Sequence, residues 1–206
     1  MQVILVANPK GGVGKSTLAT NLAGMLAHRG EDVRVMLGDT DRQQSTRYWL
    51  ARRPKALPTI SSWDIEAGQP AKPPKGTTHA VLDTPAALHG GALKDLLKRA
   101  DRLVVPLQPS MFDILATRDF LNELAEFKAS HGLPIGLVGM RLDPRTRSAE
   151  QFLRFVQTTG LPLVSALRDT QNYVHLAAYG MTVFDVGTVR VEKDREQWQA
   201  IDHWVP

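Results

Sequence analysis

Three short stretches of this chain carry residue types and spacings that could do chemistry. The first is Lys10-Gly11-Gly12-Val13-Gly14-Lys15-Ser16-Thr17. Glycines at this density let backbone amides turn inward around phosphate oxygens, and a helix starting at the end of the stretch adds its positive dipole end. Lys15 can reach the β- and γ-phosphates of a nucleotide, the Ser16 hydroxyl is placed to ligate Mg²⁺, and Thr17 can bond the α-phosphate. The second stretch is Asp39-Thr40-Asp41. Two carboxylates at this spacing can serve a metal shell or orient water, and they are equally what caps a following helix. The third is Asp83, which closes the apolar run Ala80-Val81-Leu82 and precedes Thr84-Pro85. A carboxylate at a strand tip can hold Mg²⁺ through water, although an apolar run ending in aspartate is common by itself. Together the three supply phosphate binding, a metal and a water-positioning group.

Such groups need a scaffold, and the remaining pattern describes one. Val3 to Ala7 reads as a buried strand stopped by Asn8-Pro9. Leu18, Leu22 and Leu26 recur at helical spacing until Gly30. Val33 to Leu37, closing on Gly38-Asp39, predicts a second strand, and Ala80 to Leu82 a third. Leu103 to Val105 stops at Pro106, and a long helix follows with Leu115, Leu121 and Leu124 expected inward. Ile135 to Met140 and Leu163-Val164 predict further strands around a helix at Glu150 to Gln157. The segment from Arg53 to Gly76 reads as a long loop with at most one short strand near Thr59 to Ser61. Strands alternating with helices imply a doubly wound, mostly parallel α/β sheet flanked by helices, and one domain over residues 1–206. In such sheets ligands sit at the carboxyl ends of the strands, where all three stretches fall.

The glycine-rich stretch departs from a standard Walker A P-loop: Pro9 stands where a glycine is usual, and Lys10 is an additional cation at its start. In this it resembles the deviant Walker A family, the ParA/MinD ATPases. The resemblance extends to Asp39-Thr40-Asp41, similar to that family's Asp-x-Asp-Pro-Gln motif, with Arg42 in place of the proline and Gln43 retained. It extends further to the Walker B pattern at Asp83, and to Pro106-Leu107-Gln108-Pro109-Ser110, similar to a Pro-x-Gln-Pro-Ser stretch of ParA proteins. The likeness spans the chain up to about Asp143. It implies that ATP and Mg²⁺ bind through Gly11 to Thr17, with Ser16, Asp39 and Asp83 around the metal. It also implies that Asp41 positions the attacking water and that Lys10 crosses a dimer interface to the partner's ATP, similar to an arginine finger. The partners it implies are a second copy of the chain, non-specific DNA, and a ParB-like or cargo-adaptor protein that stimulates a slow ATPase. The cargo would be a plasmid, a chromosome region or a protein assembly. The P-loop begins within the first dozen residues, so the chain resembles the small form of the family, without an N-terminal helix-turn-helix.

Composition narrows the choice within that family. The 206 residues are 43% hydrophobic and 22% charged, a globular balance with net charge +4 and no cysteine. The absent cysteines exclude disulfides, thiolate metal sites and the iron–sulfur branches of the fold. Only three tyrosines occur and none lies in the final stretch, unlike the tyrosine-rich tails of the related bacterial kinases. No stretch approaches a membrane span and the N-terminus lacks a signal-peptide pattern, so a cytoplasmic protein, nucleoid-associated when ATP-bound, is expected.

For non-specific DNA contact the candidates are Arg145, Arg147, Arg168, Arg190 and Lys193, since phosphate neutralisation needs cations but little exact geometry. Asp143, Asp169, Glu192 and Asp194 lie nearby in sequence, so each candidate is also a plausible surface ion pair. A membrane-associated MinD-like reading is the nearest alternative. Val191, Trp198, Ile201 and Val205 make an apolar helical stripe, but Glu192, Asp194, Glu196 and Asp202 give it an acidic opposite face. That composition suits a helix docked on the sheet better than one on an anionic bilayer. Two other classes remain: a small-molecule synthetase of the dethiobiotin-synthetase type, and a nucleotide switch that barely hydrolyses. The six histidines show no metal-ligand spacing.

Overall fold

The structure, a computed structural model, describes residues 1–41, 43–63 and 73–205. Seven strands form one sheet: β1 (Gln2–Val6), β2 (Val35–Asp39), β3 (Ile60–Trp63), β4 (His79–Asp83), β5 (Arg102–Leu107), β6 (Ile135–Gly139) and β7 (Leu163–Ala166). Their order is β3-β2-β4-β1-β5-β6-β7, and every adjacent pair is parallel. The connecting helices are α1 (Lys15–Ala27), α2 (Ser45–Ala51), α3 (Gly90–Leu97), α4 (Met111–His131), α5 (Arg147–Thr159), α6 (Asn172–Ala177) and α7 (Glu192–Trp204). This is the doubly wound sheet that the alternating pattern predicts.

Burial on both faces explains why the central strands read as unbroken apolar runs. In β1, Ile4 and Val6 point into one core with α1 and α7, while Val3 and Leu5 point into the other with α3, α4 and α5. Helix α1 lies over the middle of the sheet, so Leu18, Leu22 and Leu26 are fully buried together with Ala19 and Ala23. The predicted strand near Thr59 to Ser61 exists as β3, an edge strand on β2. Residues 64–72 of that segment lie outside the described residues.

Several expectations are corrected. Strand β5 runs through Pro106 to Leu107. Val104 accepts a hydrogen bond from Ala7 on the β1 side, and strand alternation puts the Pro106 nitrogen on that same side. There β1 has already left the sheet, so the proline costs no ladder bond. In α4 the inward face is Phe120, Leu124 and Phe127, whereas Leu115 is 38% exposed. Helix α3 was not anticipated.

Helix α7 docks as its stripe predicts: Val191, Trp198, Ile201 and Val205 are all buried against the sheet. Its acidic face is not wholly outward, because Asp194 is fully buried. The Trp204 ring at its end lies against Gly136 at the start of β6 and beneath the Arg102 guanidinium, 5.0 Å away. Helix α7 therefore runs back along the strands, and its first turn lies at their carboxyl ends. Among the described residues no helix is long and apolar enough to cross a membrane.

Candidate nucleotide site

Strand register brings the three chemical stretches together. Val6 pairs with Asp83 across β1 and β4, and Asp83 pairs with Asp39 across β4 and β2. The glycine-rich loop leaves β1 directly beside both carboxylates. The loop's turn depends on glycine: Gly12 and Gly14 take φ of 79° and 97°. A Cβ at Gly14 would also fall 2.8 Å from the Met140 methyl, so that position admits no other residue without strain. Val13 is buried beneath the loop, while Gly11 and Gly12 are exposed along it.

Lys15 is 92% buried at the start of α1, and its ammonium donates to the Lys10 carbonyl at 2.9 Å. Burial lowers its pKa, opposed by the nearby Asp83 and Asp41 carboxylates. The Lys10 side chain, by contrast, is exposed. Its backbone is pinned at both ends: its amide donates to Asn8 Oδ1 at 2.9 Å and its carbonyl accepts Lys15. Two further contacts hold the loop from outside. Ala87 N–H donates to the Pro9 carbonyl at 2.8 Å, and Gln108 Nε2 donates to the Gly12 carbonyl at 2.8 Å.

The three aspartates are used differently. Asp39 Oδ1 accepts the Asp41 amide, and its Oδ2 accepts both the amide and the hydroxyl of Thr46. It thereby ties the turn to the first helical residues of α2, the capping role open to it from sequence. Asp41 sits half-buried on that turn and accepts the Gln43 amide. Arg42, which replaces the family's proline, lies outside the described residues. Asp83 is 99% buried, and its Oδ1 has no hydrogen-bond partner among the described residues. Its pKa is pushed up to about 7, first by burial; the Ser16 hydroxyl bond and Lys15 pull it down, and Asp39 and Asp41 push it further up. A lone buried carboxylate oxygen beside a serine hydroxyl is a hard oxygen donor set that suits Mg²⁺. Asp83 and Ser16 therefore fit the metal best, with Asp39 occupied in shaping the loop. Thr17 is half-buried on the first turn of α1, and its carbonyl accepts Asn21.

Sequence reading missed the supports: Asn8, Thr46, Gln108 and Thr84, whose hydroxyl bonds the Val6 carbonyl. Gln108 was noticed only as part of a spelling, and its contact to Gly12 gives that spelling a physical use.

The five basic candidates lie elsewhere on the same rim, beyond the carboxyl ends of β6 and β7. Arg145 closes on Asp143 at 2.9 Å, and this bond holds the exposed Asp143 carboxyl near 2. Arg168 closes on the fully buried Asp194, which also accepts Asn172. That guanidinium is committed to neutralising a buried carboxylate. Arg147, Arg190 and Lys193 are exposed, with no ion pair among the described residues.

Comparison with known proteins places this arrangement. Residues 4–183 match the family described as the CobQ/CobB/MinD/ParA nucleotide binding domain. The chain is 31% identical over 197 residues to the maintenance of carboxysome distribution protein A of Gloeobacter kilaueensis, covering 88% of this chain and 83% of that protein. It is 30% identical over 183 residues to the chromosome-partitioning ATPase Soj of Thermus thermophilus, covering 72% of each. Among solved structures, a plasmid partition protein of Borrelia burgdorferi bound to AMPPNP superposes with a TM-score of 0.74 over 99% of both chains at 16% identity, a likeness of fold.

Proposed function

This chain belongs to the CobQ/CobB/MinD/ParA nucleotide-binding family, and from that premise we propose that it is a ParA-type positioning ATPase. It binds ATP with Mg²⁺, pairs with a second copy around the nucleotide, holds DNA non-specifically in that state, and hydrolyses ATP slowly to release it. The observation that carries this reading is the division of labour between two lysines. Lys15 is buried against the loop where phosphates would lie, while Lys10, five residues earlier, is exposed with its backbone fixed. The exposed Lys10 side chain suits a role toward a second protomer, while Lys15 is placed for the loop's own phosphates.

In this mechanism the Gly11 to Gly14 amides and Lys15 cradle the phosphates. When bound, Mg²⁺ would offset the charge that develops on the phosphates. Asp83 and Ser16 hold it, Asp41 orients the attacking water, and Asp39 keeps the Asp41 turn in place. Lys10 of each copy reaches the other's γ-phosphate. Exposed Arg147, Arg190 and Lys193 supply cations for DNA phosphates, with a ParB-like or cargo-adaptor protein stimulating turnover. The named roles of the relatives in carboxysome distribution and chromosome partitioning support a cargo-positioning task. The buried stripe of α7 argues against that helix as a bilayer anchor.

The test is binding of the purified protein to non-specific duplex DNA with ATP, with ADP and without nucleotide, at several salt concentrations. Binding that needs ATP, weakens with salt and is lost in Lys10→Ala supports the reading. Confirmed ATP binding with no DNA binding in any state turns it toward a membrane-positioning relative or a small-molecule enzyme.

A further inference from the structure

Asn8 stands between the end of β1 and the P-loop, 99% buried, and every polar atom of its side chain is engaged. Its Nδ2 donates to the Pro106 carbonyl and to Thr117 Oγ1, each at 2.9 Å. Its Oδ1 accepts the Lys10 amide at 2.9 Å. The amide can face only one way. The Pro106 carbonyl can only accept and the Lys10 N–H can only donate, so exchanging O and N would break both bonds. Thr117 is itself fully buried in the middle of α4. One side chain thus fastens the Lys10 backbone to the end of β5 and to α4, two elements remote in sequence.

The Lys10 carbonyl in turn accepts the Lys15 ammonium. We propose that Asn8 is the positioning residue that fixes Lys10, keyed by Pro106 and Thr117, so that the Lys10 side chain is presented outward for a second protomer while Lys15 remains on its own phosphates. This inference rests on the trans role of Lys10 proposed above. Asn8 touches no substrate and acts only through the Lys10 backbone.

That indirect action makes it testable. Asn8→Ala leaves the Lys10 N–H and the buried Pro106 carbonyl without the partner that Asn8 supplies. Asn8→Asp retains the acceptor to Lys10 but loses the donor to the Pro106 carbonyl. ATP affinity, ATP-dependent dimerisation by light scattering, and thermal unfolding are measured for wild type, Asn8→Ala, Asn8→Asp, Lys10→Ala and the Asn8→Ala/Lys10→Ala pair. Asn8→Ala should weaken ATP-dependent dimerisation roughly tenfold or more while changing ATP affinity only a few-fold. The double variant should dimerise no worse than Lys10→Ala alone, because both act at one group. Asn8→Asp should dimerise more like wild type even where its thermal stability is lower.

Three outcomes decide it. Lys10→Ala dimerising normally removes the trans role and this inference with it. A defect in Lys10→Ala, with additive effects in the double variant, overturns the role of Asn8 alone. Dimerisation that follows thermal stability across the Asn8 variants also overturns it, since Asn8 would then serve only folding; if Asn8→Ala does not fold, the Asn8→Asp comparison decides.

Discussion

Asp39 and Asp83 pair in register at the adjacent ends of β2 and β4, yet their carboxylates are engaged in opposite ways. Asp39 spends both oxygens on the turn that carries Asp41, whereas Asp83 keeps a buried oxygen without a partner among the described residues. A buried carboxylate in that condition favours its proton, and the pH behaviour of the protein should report it.

The Asp83 carboxyl titrates near 7 in the fold against an ordinary 3.8. Between those values the folded state holds a proton that the unfolded chain has released. The stability this group contributes is full below about 4 and is lost as pH rises through about 7. Asp83→Asn should therefore gain stability relative to wild type as pH rises from 4 to 8, by on the order of 1–4 kcal/mol. Urea unfolding of the nucleotide-free proteins across that range measures it. The same variant should lose Mg²⁺-dependent strengthening of nucleotide binding, and a variant that keeps it removes Asp83 from the metal site.

Lys15→Ala should abolish nucleotide binding, raising Kd by roughly a hundredfold or more, the scale of a lost charge-assisted contact. Lys10→Ala should leave Kd within a few-fold but prevent productive dimers. A fluorescent-nucleotide titration beside an ATPase assay separates the two. Asp41→Ala should accumulate the ATP-bound dimer, and fast turnover by that variant takes Asp41 out of the mechanism.

The basic candidates should separate by their ion pairs. Arg147→Ala, Arg190→Ala and Lys193→Ala should each lower the salt slope of DNA binding by about one while leaving stability nearly unchanged. Arg168→Ala should instead destabilise the fold by about 3–5 kcal/mol, because it leaves Asp194 buried without its cation. Denaturant melts run beside salt titrations distinguish a phosphate contact from a structural one.

A second buried pair lies between Arg53 after α2 and Asp185 before α7. The guanidinium reaches both carboxylate oxygens at 2.9 Å, and Thr182 donates twice to the same group. Burial pushes the Asp185 carboxyl up, but the bonds from Arg53 and Thr182 outweigh it and hold the pKa below the ordinary value. Its stabilisation is present above about 4 and lost as pH falls through the depressed value. Arg53→Ala should cost about 3–5 kcal/mol at pH 7 and less in acid, as read from urea midpoints.

The legible parts of the molecule were those governed by local rules. Apolar runs ending in Asp39 and Asp83, the spacing of Gly12, Gly14 and Lys15, and the stripe through Trp198 and Ile201 each follow from a period or a turn requirement within one element. What escaped depends on elements far apart in sequence. Nothing around Asn8 announces that Thr117, 109 residues later, completes its hydrogen bonds. Arg168 looked like a surface cation because Asp194 reads as one more acidic residue on a helix, and only the packing of α7 buries it. Leu115 failed for a related reason: helical spacing names a stripe but not which of its residues the sheet reaches.

The parallel sheet also gives the molecule a heel. Strands that all run one way place every helix-to-strand return at the rim opposite the P-loop, including the turn from α5 to β7 at Gly160. The chain has no cysteine, so Gln157→Cys, at an exposed position on the last turn of α5, would introduce its sole thiol. A dye or surface attached there would hold the protein by its heel. Lys10 and the basic rim would still face solution, so encounters between an anchored copy and a free one could be watched one molecule at a time.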